Sequence, residues 1–432
     1  MNKIHLIIIA TGLVFIQSCA SRKNPQSIIT QEEVARVIKT LSSDEMMGRS
    51  ALQPEIIGKS ADFIAKEFKM AGLKFFKGAN SYRQSFVVNN IKPIGGTLKL
   101  NGKEIPSSDF IVSSAKAEVE WTSLPKILTI AKDDNFATKY RAFAAGEEDV
   151  LVLVDGSQKA MFDRYKTFLS RGSRSFEDKK QPTLVMLMTA DSPQSIELSF
   201  KNEISTLPMF NVVGVLPGKS KPNEYVVFSG HYDHLGILKA VNQDSIANGA
   251  DDDASGTTAV IELAKYFSKK KDNERTIVFV AFTAEEIGGY GSQYFSKQLN
   301  PDETVAMFNI EMIGKESKFG KNNAFITGYE RSDFGKILQK NLEGTDFKFY
   351  PDPYPEQNLF FRSDNATLAR LGVPAHTISS DQIDTDKLYH SVDDEFESMD
   401  IGNITEIIKA IAISSTSIVE GKDTPSRVSG VN

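Results

Sequence analysis

The reading turns on residues 225 to 256: YVVFSGHYDHLG at 225–236 and, after a short loop, GADDDASG at 249–256. Tyr225 to Phe228 is a short apolar run that reads as a buried strand. It stops at Ser229 and Gly230, and His231, Tyr232, Asp233 and His234 then arrive together. Asp251, Asp252 and Asp253 stand side by side directly before Ala254-Ser-Gly-Thr-Thr-Ala-Val, which opens a helical pattern. Three adjacent carboxylates repel one another unless positive charge sits among them. A helix N-terminus supplies a little of it. A divalent cation supplies far more, and histidine with carboxylate is a donor set that zinc accepts.

From 211 onward, strand patterns alternate with helix patterns. Strands are expected at 211–215, 224–229, 275–282, 304–310, 324–327 and 375–378, and helices at 254–270, 290–299, 332–342, 364–371 and 401–420. This alternation predicts an α/β fold, a sandwich around a mixed, mainly parallel sheet. In such sheets the site lies beyond the carboxyl ends of the strands. His231 follows one strand, the Glu285-Glu286 pair the next and Glu311 the third.

A hydrolytic site with two cations needs one carboxylate between ions about 3.5–4 Å apart, further ligands on each, and a free carboxylate near the attacking water. His231, the 251–253 cluster, Glu285-Glu286, Glu311 and His390 offer that set. Singly, each has a plainer reading. His231 suits a core, three aspartates suit a helix start, and Glu285-Glu286 suits a solvated face. Their joint order at successive strand ends is what chance does not produce. His234 and His376 read as structural. Phe360 and Phe361 read as core first, with Phe361 kept as a substrate-binding candidate.

Upstream, residues 28–76 read as helical. Thr30 and Glu33 form a capping-box pattern, and Gly72 ends a second helix that begins near Lys59. Residues 78–205 carry short β-like runs, with one helix expected over 158–174 and none of the chemistry-bearing groups. This stretch reads as an inserted, mostly β domain.

The start of the chain has its own logic. Met1-Asn-Lys is short and basic, and Ile4 to Ile16 is mostly apolar but short for a membrane span. Ile16-Gln-Ser-Cys19 resembles a bacterial lipobox. It implies a signal peptide at 1–18, a lipid on Cys19, a polar tether at 19–31 and a place in the bacterial cell envelope. Cys19 is the single cysteine, which excludes an intrachain disulfide and a cysteine-ligated zinc. The net charge of −6, from 50 basic and 56 acidic residues, argues against a nucleic-acid binder.

The ordered motifs HYDHLG, GADDDASG, FTAEEIGGYGS, FNIEMIG and LYHSVDD resemble the co-catalytic zinc exopeptidases of metallopeptidase family 28, over about residues 206–400. LSSDEMMGR, from Leu41 to Arg49, is close to a pattern frequent in the family's N-terminal helices. The resemblance implies a three-layer zinc exopeptidase domain at 32–77 and 206–420. It also implies a protease-associated-like insert at 78–205 and a tail at 421–432. It implies two zinc ions per subunit and a peptide substrate. His231 and Glu311 would serve the first ion, Glu286 and His390 the second, and Asp252 both. Asp233 would orient His231, and Asp251 would support the ligands from behind. Glu285 would act as general base and then acid, Tyr389 would steady the oxyanion, and Arg362 would contact substrate.

Two positions depart from the family pattern: Glu311 stands where Asp is usual, and Asn365 where the usual SDH has its histidine. Aminopeptidase action is the leading expectation. Carboxypeptidase or dipeptidase action of the same family is the nearest alternative. A glutaminyl-cyclase-like acyltransferase disagrees with the complete DDDASG segment, and a receptor-like binding protein disagrees with a plausible ligand at every position. Oligomeric state is not legible.

Overall fold

The computed structural model describes residues 25–176, 181–189 and 191–429. The signal peptide, Cys19 and the first part of the expected tether lie outside the described residues, as do residues 430–432. The chain divides into two compact units, one of residues 1–85 with 209–432 and the other of residues 86–208.

The first unit is built on a mixed, mainly parallel sheet. Its strands run in the order Lys348–Pro351, Asn323–Ile326, Ala375–Ser379, Thr304–Ile310, Lys221–His231, Arg275–Phe282 and the end of Ile196–Leu216. The four central strands are mutually parallel. Val227 stands opposite Val278 and Met307, while Phe228 stands opposite Phe279 and Phe308. Side chains alternate along a strand, so these two rows cover opposite faces. The valine row joins a core with Phe282, Phe295 and Leu368. On the other face Phe228 stacks on Phe308 at 4.7 Å and on Phe267 of helix Gly256–Lys270 at 5.5 Å. Every residue of Arg275–Phe282 and of Thr304–Ile310 is buried, as strands covered on both faces must be.

The register positions the site. His231 lies opposite Phe282, and Ser229 lies opposite Asn309. The residues leaving the carboxyl ends of three neighbouring strands therefore emerge level with one another.

Helix Gln31–Leu41 starts at Thr30, whose hydroxyl accepts from the Glu33 N–H at 3.3 Å. Three differences from the sequence reading have clear causes. Residues 25–27, read as tether, instead open a helical turn at Pro25–Ile28 leading into the next helix, with Ile28 and Ile29 buried. The tail from 421 packs too: Arg275 donates to the Asp423 carbonyl at 2.6 Å, and Val428 enters the core. The strand Lys348–Pro351 was not anticipated, being only four residues long and closed by a proline that suits an edge.

In the second unit, Phe110–Ser113, Leu184–Met188, Val150–Val154 and Lys126–Ile130 form a four-stranded sheet in that order. Alternation again sorts its faces. Ile111, Val150, Val152, Leu184 and Met186 face one core with Phe136 and Phe162, which belong to helices Phe136–Ala144 and Lys159–Ser170. Phe110, Val112, Leu151, Val185 and Leu187 face another with Leu98, Val119 and Leu198. Helix Phe136–Ala144 escaped the sequence reading. Its signal was Asn135, whose side chain caps the Thr138 N–H at 3.0 Å.

His376 is buried within the first unit. Its Nδ1 meets the Thr327 carbonyl at 2.8 Å, its Nε2 the Ser332 hydroxyl at 2.7 Å, and its ring stacks on Phe334. Burial pulls its pKa down to about 4, against opposing contributions from the Thr327 carbonyl and Glu330; Arg331 adds a smaller push in the same direction. The unfolded chain therefore binds this proton more tightly, and stability is lost as pH falls from about 6.5 toward 4, by about 1.4 kcal/mol per pH unit. We expect the urea midpoint to drop between pH 7 and pH 5, and to drop less in His376→Gln. Equal drops in the two proteins would contradict this.

Candidate metal centre

The strand Lys221–His231 ends on His231, and its backbone is fixed on both sides. The His231 N–H donates to Asp253 Oδ2 at 3.0 Å, and its carbonyl accepts from the Thr257 hydroxyl at 2.8 Å. The imidazole Nδ1 lies 3.1 Å from the Asp233 carbonyl oxygen. A carbonyl only accepts, so Nδ1 carries the hydrogen and the Nε2 lone pair is free to bind a cation. The carboxylate of Asp233 stands farther off, at 3.8 Å, and accepts the Glu285 N–H at 3.1 Å. Thus the main chain of Asp233 sets the His231 tautomer, and its side chain holds the turn that carries Glu285.

Asp252 occupies the middle. Its Oδ1 is 3.1 Å from His231 Nε2, and its Oδ2 is 3.3 Å from His390 Nε2. His390 Nε2 is also 3.2 Å from Glu286 Oε2. His231, Asp252 and Glu311 bring one donor atom each within 4.8 Å of one another, and so do His234, Asp252 and Glu286. The two groups share Asp252 alone. The longer arm of Glu311 thus reaches the first group despite replacing the usual Asp.

The aspartate trio divides its labour. Asp253 accepts three backbone N–H groups, from His231, from Gly256 at 3.0 Å and from Met312 at 3.2 Å, tying together three separate segments. A Cβ at Gly256 would run into that carboxylate and into the Ile310 carbonyl, so only glycine fits there. Asp251 accepts the Gly314 N–H at 2.7 Å and stands 3.4 Å from Lys315 Nζ. Asp252 is left to face the other donors.

Three residues escaped the sequence reading. Asp394 accepts the Asp251 and Asp252 N–H groups at 3.0 and 3.1 Å. Arg49 is fully buried and donates to the carbonyls of Leu41, Tyr232, Asn248 and Gly249 at 2.5–2.8 Å. It fastens the turn after His231 to the turn before Asp252, and its charge faces Asp394, Asp252 and Asp253. The pattern LSSDEMMGR was visible, but nothing in it revealed contacts made about 200 residues away. His234, read as structural, instead places Nδ1 2.7 Å from Glu286 Oε1.

The remaining candidates are placed as follows. Tyr389 stacks on His390 with ring centroids 3.9 Å apart, beside Glu311 in a shared pocket. Arg362 is exposed and donates to Gln357 at 3.4 Å. Phe361 and Arg362 line a cleft with Glu285 and Asp364. Asn365 turns into the core, where its amide bonds the Phe360 and Ala375 carbonyls and its oxygen accepts from Thr377. The departure from SDH is thus filled by a residue with a packing role. Ala284, Met312 and His390 all adopt positive φ, at 60°, 49° and 57°, so left-handed backbone flanks Glu285 and Glu311 and includes His390 itself. Non-glycine residues hold that conformation only where their surroundings impose it.

The electrostatics call for positive charge. Burial pushes the carboxyls of Asp233 and Glu311 up to about 7, and raises Glu285 well above the usual range. For Asp252, burial is outweighed by the imidazoles of His231, His234 and His390 around it, which hold it well below. Burial opposes protonation of His390, yet Asp252 and Glu286 push it up to about 10. His231 Nε2 and Glu311 Oε2 are both buried without a hydrogen-bond partner. Orphaned acceptors beside a shared carboxylate are what a divalent cation would satisfy, and a nitrogen and oxygen donor set without sulfur suits zinc.

The sequence profile described as Peptidase family M28 matches residues 211–414. Over these residues the chain is similar to peptidase family M28. A protein described as a probable zinc metalloprotease from Pyrenophora teres f. teres is 37% identical over 109 residues, 25% of this chain and 22% of that protein. The chain thus spans about a quarter of the length of the fungal metalloproteases it first matches. A protein described as leucine aminopeptidase 1 from Paracoccidioides brasiliensis is 25% identical over 68% of this chain and 78% of its own. A zinc aminopeptidase from Bacillus subtilis superposes with a TM-score of 0.54 at 17% identity, covering 94% of this chain and 99% of that one. That likeness speaks for the fold.

The His234 contact yields a test. Partners that orient a ligand typically contribute 10–100-fold to metal affinity. We expect His234→Phe to weaken zinc binding by about that factor, measured by competition with a chromophoric chelator. Affinity within twofold of the unsubstituted protein would show that Glu286 needs no help from His234.

Proposed function

We propose that this chain is a zinc-dependent exopeptidase, an aminopeptidase that removes N-terminal residues from short peptides. The observation that carries the reading is Asp252 standing between two donor groups, His231 with Glu311 on one side and His390, His234 and Glu286 on the other. The M28 match and the relative described as leucine aminopeptidase 1 support it. The lipobox-like Ile16-Gln-Ser-Cys19 supports a lipid anchor on Cys19 and a place in the bacterial cell envelope.

In this reading His231, Asp252 and Glu311 would hold one zinc, and Asp252, Glu286 and His390 would hold the other, with His234 steadying Glu286. Zinc held there supplies Lewis acidity toward a peptide carbonyl. Glu285, poised on a turn held by Asp233, takes the proton of the attacking water and then delivers it to the leaving amine. Its raised pKa suits a group that must both accept and return a proton. The Tyr389 hydroxyl donates to the oxygen on which charge develops. Arg362 and Phe361 contact the substrate at the rim.

Glu285→Gln keeps the shape and removes the proton carrier. We expect zinc content to be unchanged and kcat on aminoacyl p-nitroanilides to fall by about 10²–10⁴-fold. Full activity would overturn the role of Glu285. Cleavage restricted to N-blocked peptides would replace the aminopeptidase reading with a carboxypeptidase one.

A further inference from the structure

A second buried carboxylate cluster lies beside the metal centre and is not consumed by it. A pocket opens next to Glu311 and Tyr389, with walls supplied by Met312, Phe325, Leu359 and Ile383. Asp381 lines the same pocket but is only 4% exposed, and its Oδ1 has no hydrogen-bond partner. Behind it stand Asp251 and Asp386, with donor atoms of all three carboxylates within 4.8 Å of one another. The ammonium of Lys315 is already engaged, 2.7 Å from Asp386 and 3.4 Å from Asp251. Asp381 shares a hydrogen bond with Asp386, and burial together with the charges of Asp251 and Asp386 pushes its carboxyl up to about 8, so the inner end of the pocket is short of positive charge even with Lys315 in place. Among the described residues lining the pocket, the cation is Arg362, which is exposed at the rim and bonded to Gln357.

An apolar wall leading to a buried carboxyl group with one unpaired oxygen matches one kind of side chain: a long aliphatic stem ending in a cationic donor. We propose that this pocket selects substrates whose residue beside the scissile bond is lysine or arginine, with the cationic end meeting Asp381. The assignment rests on the exopeptidase reading, because it takes the pocket's occupant to be the residue held against the metal centre. A metal ion in the cluster is disfavoured, because the Lys315 ammonium already occupies its polar side. An apolar occupant such as leucine would fill the walls and leave the Asp381 oxygen buried and unpaired, whereas a lysine ammonium forms a charge-assisted hydrogen bond there.

The test uses the zinc-loaded full chain and two ligands of nearly equal shape, L-lysine and L-norleucine, with binding read by calorimetry so that no turnover is needed. Lysine is expected to bind at least about tenfold tighter. Asp381→Asn, which keeps the shape of the side chain, is expected to erase that preference and leave norleucine affinity unchanged. Equal binding of the two ligands, or tighter binding of norleucine, by the unsubstituted protein overturns the proposal without reference to any variant. Hydrolysis of lysyl and norleucyl p-nitroanilide is followed on the same preparation. A lysine preference in binding with neither compound cleaved would uphold the pocket and overturn the aminopeptidase reading instead.

Discussion

The structure of this site depends on a crowd of buried carboxylates that cannot all be charged unless positive charge is placed among them. Asp233, Asp252, Asp253, Glu285, Glu286, Glu311 and Asp364 converge where water is largely excluded, and burial is the main force raising several of them. The chain answers with several devices. Arg49 brings a buried guanidinium behind the ligands, Lys315 neutralises the flank at Asp251, and backbone N–H groups saturate Asp253 and Asp394. What these leave unanswered is concentrated at Asp252 and the imidazoles around it. A cation therefore completes the electrostatics of the fold as well as its chemistry.

The same logic explains how much could be read from the sequence. The central strands were legible because they are continuous apolar runs, and strands covered on both faces have no alternative composition. His231, Glu286 and Glu311 were legible as a set because parallel strands in register deliver the residues after their carboxyl ends to one place. Asp252 stood out because its neighbours are also acidic. The supporting groups were not legible. Arg49 acts through backbone carbonyls about 200 residues away, and a carbonyl has no identity in a sequence. Asp394 and Asp381 act likewise through tertiary contacts that no local periodicity announces. His234 shares its tetrapeptide with His231, yet only the path of the turn decides which ring meets which carboxylate.

Two positions that depart from the family pattern have separate physical accounts. Glu311 gains a methylene over the usual Asp and still arrives among the donors, because its backbone is pinned by its N–H to the Ile378 carbonyl. Asn365 satisfies three partners inside the core and faces away from the chemistry. The unit at 86–208 has two hydrophobic cores of its own, on the two faces of its four-stranded sheet, which accounts for its distinct strand pattern in the sequence.

The central claim is that Asp252 belongs to two metal positions at once. It is tested most directly by zinc stoichiometry, measured by elemental analysis after equilibrium dialysis, on the unsubstituted chain and on Asp252→Ala. The account predicts two zinc ions per chain, and loss of both high-affinity ions in the variant, because each position loses the same shared oxygen donor. A single ion in the unsubstituted chain, or one ion retained at full affinity in the variant, would contradict it.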